Sequence, residues 1–221
     1  MNAITRRPVA VAMARSFDAA DYRVFVARTL DDLMEVAAVR TLVYIGEQGC
    51  PYREEYDGND FAGTTHLLVR YGDEPVGVLR IRWFADFAKL ERVAILPGHR
   101  GRRAAFALIG EAVRLAERKG YRRILGHAEP RLAAFWSRHF KGKVRVDRTR
   151  FSFSDRQYLE VVAEIGPASD ALTLESDPLL LLRPEGDWDR PGVLDRSRRR
   201  ITPHLHRGQV ACANLGAHGS A

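Results

Sequence analysis

"AILPGHRGRRAAFALIGEAVRLAERKG", residues 94–120, passes from an apolar, strand-like tail through a basic turn straight into a long amphipathic helix. The helix is predicted over residues 103–119, with Phe106, Ile109, Ala112, Val113 and Ala116 on one stripe. Gly120 falls just past its end, where a residue without Cβ closes a helix without strain. Four cation-capable side chains, His99, Arg100, Arg102 and Arg103, crowd the helix start. A helix N-terminus already carries roughly half a positive charge, and its first amides lack intrahelical acceptors. Arginines there add repulsion unless an anion arrives. That anion is a phosphate, a neighbouring carboxylate, or nothing more than oriented water.

Working outward, "AKLERVAIL" (88–96) reads as a strand that stops at Pro97, and "THLLVRY", "GDEP" and "VGVLRIRWF" (65–84) read as a β-hairpin. "YRVFVA" (22–27) is a first strand. The following "TLDDLMEVAAVRTLVYIGEQ" opens on Thr29 as N-cap, with acidic residues in the first turn and Leu33, Val36, Val39 and Val43 at helical spacing. "GCPYREEYDGND" (49–60) is a turn-rich connection holding several carboxylates. After the central helix come the strand "YRRILGHA", a helix "RLAAFWSRHF" begun by Pro130, and the strands "GKVRVDRTRFSF" and "QYLEVVAEI". Strands alternating with helices in this order predict an α/β fold with a mixed central sheet. From Gly166 onward the pattern fades, apart from a short element around "PLLLL".

With 221 residues, 46% of them hydrophobic and 29% charged, the chain can bury one substantial core plus a small appendage. We expect a flexible leader over residues 1–20, a folded domain over 21–166, and a largely irregular extension, basic at its end, over 167–221. No apolar run approaches the length of a bilayer span. Arg6, Arg7 and Arg15 interrupt the first residues where a secretory signal would need a continuous apolar stretch. Cys50 and Cys212 are far apart and lack metal-ligand spacing. A cytoplasmic protein without metal or membrane partner is therefore expected. The net charge of +7 is concentrated at the end, where "RSRRR" (196–200) lacks interleaved aromatics, which weighs against nucleic acid as a partner.

The succession of elements over about residues 22–165, together with the loop Arg100-Gly101-Arg102-Arg103-Ala104-Ala105, resembles the GCN5-related N-acetyltransferase (GNAT) superfamily. "VRTLVYIGEQGCPYREEYDGND", "HLLV", "PVGVLRIR" and "AKLERVAILPGHRG" look more specifically like one acetyltransferase subfamily within it. The resemblance implies a mixed, mostly antiparallel sheet flanked by helices and acetyl-CoA as co-substrate. It implies that the backbone of Val93, Ala94 and Ile95 holds the pantetheine arm, while Arg100, Gly101, Arg102, Arg103, Ala104 and Ala105 cradle the pyrophosphate. The acceptor is then a primary amine of a small molecule or peptide, attacked directly in a ternary complex, and a homodimer is left open. Two positions depart from the family pattern. Arg103 stands where the loop has glycine, and Trp136 stands where a tyrosine proton donor is common.

Acetyl transfer needs a neutral amine, a stabilised oxyanion and a protonated leaving thiolate. Glu91 is the candidate base, because alternation along "LERVAI" would put Glu91, Val93 and Ile95 on one face and Leu90, Arg92 and Ala94 on the other. Its rival role is a salt bridge with Arg80 or Arg82. Tyr158 is the candidate acid and His139 a substitute, each with core packing as the alternative. The acidic spacing Glu55, Asp57, Asp60, followed by His66 and Arg80, also resembles acyl-homoserine-lactone synthases and N-acyl amino acid synthases; the alternative for it is a turn paired with Arg40 or Arg80. A coenzyme-sensing or partner-binding module without catalysis is the remaining class.

Overall fold

The computed structural model describes residues 22–101, 103–140, 144–153 and 156–197, and divides into two compact units, Met1–Ala171 and Leu172–Ala221. The expected leader, Arg102 and Cys212 lie outside the described residues. In the first unit seven strands form one sheet in the order β1-β2-β3-β4-β5-β7-β6. They are β1 (Tyr22–Val26), β2 (Thr64–Tyr71), β3 (Glu74–Trp83), β4 (Ala88–Ile95), β5 (Arg123–Ala128), β6 (Val144–Phe153) and β7 (Arg156–Glu164). Every neighbouring pair is antiparallel except β4–β5. The mixed sheet expected from the element order is present, and it is mostly antiparallel, as the resemblance implies.

Helix α1 (Leu30–Arg40) starts on the expected cap. Thr29 Oγ1 accepts from the Asp32 amide at 3.1 Å, and the Asp32 carboxylate accepts from the Thr29 amide at 3.0 Å, a reciprocal capping box. The helix does not run on unchanged to Gln48 but continues as a π-helical segment, Thr41–Glu47. Widening the turn there re-aims the residues that follow Arg40. Val36, Val39 and Val43 pack on Leu68, Val78 and Ala94 of the sheet. The acidic connection is not all turn, since Tyr52–Glu55 forms a single helical turn, α2.

Helix α3 (Ala104–Arg118) buries Ala104, Leu108, Ile109, Ala112, Leu115 and Ala116. This corrects the predicted stripe: Phe106 stands 38% exposed and Val113 is only half-buried. The contiguous apolar arc of the sequence is wider than the sheet, so the arc that meets the sheet is chosen by where the helix docks. Phe106 instead packs on Phe135 and His139 of α4 (Ala133–His139), with centroids 4.9 and 5.5 Å away. Gly120, at φ +83°, ends α3 as expected.

In the second unit the described part holds two short helices, α5 (Pro178–Leu181) and α6 (Val193–Ser197). The Arg183 guanidinium pins the start of α6 by donating to both Asp195 oxygens, at 3.0 and 3.1 Å, and to the Trp188 carbonyl. "PLLLL" is thus helix rather than strand, capped by Asp177 on the Leu179 amide.

Candidate active site

β4 pairs with β5 only over Ala88, Lys89 and Leu90. Beyond Leu90 the strands part company, β4 staying with β3 up to Ile95 and β5 turning to β7. The cause is local. Arg80 pairs with Glu91 and Val78 with Ala94, so one residue of β3, Leu79, faces two of β4, Arg92 and Val93. Arg92 takes φ +53°, the left-handed region that a side chain with Cβ rarely occupies. The extra residue shifts the alternation by one. Glu91 and Ala94 therefore share a face, correcting the expectation that Glu91, Val93 and Ile95 would.

A cleft of about 510 Å³ opens at this divergence. Glu91, Val93, Ala94 and Ile95 line it from β4, Ala105 from the first turn of α3, and Tyr158 from β7. Both candidate catalytic residues thus meet in one cleft. Gly101, Arg103 and Ala104 do not line it: Gly101 (φ +69°) and Arg103 are exposed in the turn, and Ala104 is buried beneath it. His139 is drawn into the aromatic packing of α4 instead. Trp136 is buried, with its indole reaching under Gly126 of β5.

The basic turn resolves differently for each of its cations. His99 packs against Tyr22 and Tyr71, its Nδ1 3.0 Å from the Tyr22 hydroxyl. Arg100 donates to both Glu47 oxygens at 2.6 and 2.5 Å and through Nε to the Ile95 carbonyl at 2.9 Å. Those hydrogen bonds hold the Glu47 carboxyl below its ordinary value. Arg103 is the N-cap of α3 with helical torsions (φ −76°, ψ −13°) and makes no side-chain cap. No acidic residue occupies the first turn. Among the described residues, the start of α3 thus has no N-cap side-chain oxygen and no acidic residue in its first turn, the condition under which a helix start receives an anion.

Beneath the bulge lies a buried ion-pair network. Arg40, 2% exposed, donates to Glu55 and Asp60 at 2.5 Å each and to the Glu55 carbonyl at 2.7 Å. Arg80, wholly buried, reaches both oxygens of Asp57 (2.8 and 2.7 Å), Asp60 (2.9 Å) and Glu91 (2.8 Å). Arg92 completes it with Glu55 (3.1 Å) and Asp57 (3.2 Å) and donates to the Glu54 carbonyl at 2.6 Å. The acidic triplet is thus paired with Arg40 and Arg80, as one of the two expectations for it held, with Arg92 added. Burial pushes the Glu55 carboxyl up against the pull of Arg40 and Arg92. For Asp57 burial is outweighed by the Arg80 hydrogen bonds, and its carboxyl sits well below the usual carboxylate range.

The sequence reading passed over three cleft residues. Tyr44, in the π-helical segment, donates its hydroxyl to the Val93 carbonyl at 2.9 Å and so ties α1 to the bulge. His127 of β5 lines the cleft, and burial together with the Lys89 ammonium lowers it, favouring the neutral imidazole at neutral pH. Glu129 accepts from Arg131 at 2.7 Å and Arg156 at 3.2 Å, and these hold it ionised. Alternation along "RILGHA" puts Leu125 and His127 on one face, a signal that was present in the sequence. For Tyr158, burial first and the Glu129 charge second raise the phenol, which keeps its proton at neutral pH.

Residues 30–140 match the Acetyltransferase (GNAT) family, and the chain belongs to that family. It is 27% identical over 114 residues to the uncharacterized N-acetyltransferase YjcF of Bacillus subtilis, covering 52% of this chain and 81% of that one. Its fold is that of an acyl-CoA N-acyltransferase from Pseudomonas aeruginosa (23% identity, 65% and 98% of the two chains covered, TM-score 0.57). It is also that of FeeM, an N-acyl amino acid synthase from uncultured soil microbes (10% identity, 64% and 88% covered, TM-score 0.55). Among the described residues no group of His, Cys, Asp and Glu side chains is arranged to hold a metal ion, and no helix is long and apolar enough to cross a membrane.

Proposed function

We propose that this protein transfers the acetyl group of acetyl-CoA to a primary amine, by direct attack with both substrates bound. The observation that carries the reading is the parting of β4 from β5 at Arg92, which leaves β4 without a strand partner on its β5 side, along a cleft flanked by the start of α3. An acetyl thioester is the group whose pantetheine arm, amide-bearing and extended, matches a strand edge and whose pyrophosphate matches free helix amides. In this reading Val93, Ala94 and Ile95 align the arm. The amides that open α3, with Gly101, Ala104 and Ala105 giving close backbone approach, receive the pyrophosphate, and Arg103 and Arg102 add positive charge. Arg100 reaches a phosphate only by exchanging Glu47 for it.

When bound, the thioester supplies an activated acetyl carbonyl. Glu91 takes a proton from the substrate ammonium before attack, or from the neutral amine as the N–C bond forms, directly or through one water. Arg80 and Lys89, at 2.8 and 2.9 Å, aim that carboxylate. As the C–S bond breaks, the thiolate takes a proton from Tyr158, the protonated phenol on the far wall, since Trp136 has no acidic proton to give. Titration calorimetry with acetyl-CoA, followed by thiol release over a panel of amines, tests this. Tight coenzyme binding with no turnover on any amine would overturn catalysis in favour of a coenzyme-sensing module.

A further inference from the structure

The end of the cleft around Glu91 has a charge imbalance that the network does not resolve. Among the described residues, ion pairs within 4 Å link five cations, Arg40, Arg80, Arg82, Lys89 and Arg92, to four carboxylates, Glu55, Asp57, Asp60 and Glu91. Arg40, Arg80 and Arg92 are held at hydrogen-bond distance, and Lys89 sits 2.9 Å from Glu91. Arg82 is the surplus. Its nearest approach to a carboxylate is 3.9 Å, from Nε to Glu91 Oε1, and that buried Nε has no hydrogen-bond partner. Its guanidinium lies over the Phe84 ring, 5.0 Å from the centroid, and lines the cleft.

The sheet sharpens this. Arg82 of β3 lies directly opposite Lys89 of β4 in the register, and like charges placed so repel. His127 of β5 lies on the same side of the cleft. The Glu160 carboxylate faces His127 from β7 but does not line the cleft. Arg80 lies 2.8 Å from one Glu91 oxygen and Lys89 2.9 Å from the other, while Arg82 stays 3.9 Å away. A second anion between Arg82 and Lys89 would relieve the repulsion, and a planar carboxylate matches the guanidinium fork.

The geometry points to an acceptor that carries a carboxylate beside its amine. We propose that the amine substrate is a free α-amino acid or close analogue, its carboxylate held by Arg82 and Lys89 and its amino group at Glu91. Glu91 Oε1 and Arg82 Nε are 3.9 Å apart, a closeness that suits an amine and a carboxylate carried near one another on one small molecule. A polyamine, an aminoglycoside or a lysine-rich peptide would bring a second cation to a surplus cation. The inference rests on the acetyltransferase reading above and deepens it.

The test is thiol release from acetyl-CoA with free amino acids, each paired with its carboxamide and its decarboxylated amine, on the full chain and on Arg82→Gln. A charge-assisted hydrogen bond predicts kcat/KM for the acid about 10-fold or more above the amide. This holds even though the amide's amine is the more easily deprotonated. Arg82→Gln should abolish that gap by raising KM for acids more than for their amides. Amides or amines used as well as acids would overturn the inference while acetyl transfer stands. Should no amine be acetylated, the acetyltransferase reading fails, and calorimetry of free amino acids into the coenzyme A-loaded protein decides the subsite. Binding lost in Arg82→Gln upholds it; absence of binding overturns it. If Arg82→Gln does not fold, the acid–amide comparison on the unaltered protein, with Arg82→Lys as the charge-preserving variant, carries the decision.

Discussion

Arg92 is held at φ +53° by what its side chain touches, and comparing Arg92→Ala with Arg92→Gly separates the two effects. Both variants lose the contact with Glu55, a wholly buried carboxylate 3.1 Å away, and the donation to the Glu54 carbonyl at 2.6 Å. Breaking one side of a buried ion pair costs about 3 to 5 kcal/mol, and Arg40 remains on Glu55, so the low end, about 3 kcal/mol, applies. Alanine keeps the left-handed strain of about 1 to 2 kcal/mol that glycine relieves. Glycine gives back about 0.4 to 1 kcal/mol through its freer unfolded chain. The glycine variant should therefore be the more stable by about 0.5 to 1 kcal/mol, the reverse of the usual strand preference for alanine over glycine. Urea unfolding followed by tryptophan fluorescence reads both differences. With about 2 to 4 °C per kcal/mol at this chain length, Arg92→Ala should melt roughly 6 to 12 °C low, with Arg92→Gly slightly above it. Alanine equal to or better than glycine would refute the strained bulge. A loss under about 1 kcal/mol for both would show that Arg40 alone satisfies Glu55.

Glu91→Gln should lower the maximal rate about 10² to 10⁴-fold, with the loss shrinking at alkaline pH where the amine is already neutral and with acetyl-CoA affinity unmoved. Full activity of that variant across the pH range would make Glu91 a structural member of the network only. Gly77→Ala places a Cβ against Ile95 Cδ1, 2.9 Å from Val69 Cγ1 and 3.1 Å from the Ala94 carbonyl, beside β4 just past the bulge. It should destabilise the fold by about 1 to 3 kcal/mol in denaturant titration, as overpacking does. Asp57 and Asp60 are held below their unfolded value of 3.8, burial being outweighed by the Arg80 and Arg40 hydrogen bonds. The unfolded chain therefore takes up protons first, so their stabilisation is complete above about pH 5 and drains away as pH falls through the depressed folded values. Asp57→Asn should flatten that acid limb in melting curves recorded as a function of pH. An unchanged limb would remove Asp57 from the ion-pair account.

The sequence by itself determined the elements that depend on neighbours along the chain. Thr29 caps α1 because the N-cap and the residue three positions on reach the same amides, and Gly120 ends α3 because only glycine enters its torsion without strain. Strand and helix periods, with the 100–105 loop, were enough to give the succession of elements and to indicate the family. Glu91 and Tyr158 could be named from their strands, although nothing local brought them to one cleft. What tertiary structure alone decided follows from pairings between distant residues. The bulge at Arg92 has no local signature, since arginine is not a residue that favours positive φ; it exists because Glu54, Glu55 and Asp57 hold the guanidinium on the other side of the chain's α2 turn. That one extra residue inverted the predicted facing of Val93, Ala94 and Ile95 and opened β4 from β5. The partner of Arg100, Glu47, lies 53 residues away, and the surplus charge on Arg82 becomes visible only when every other cation nearby has been matched to its carboxylate. Periodicity reports which face a residue prefers, while charge pairing across strands reports which groups have been left over, and only the folded chain holds the second kind of information.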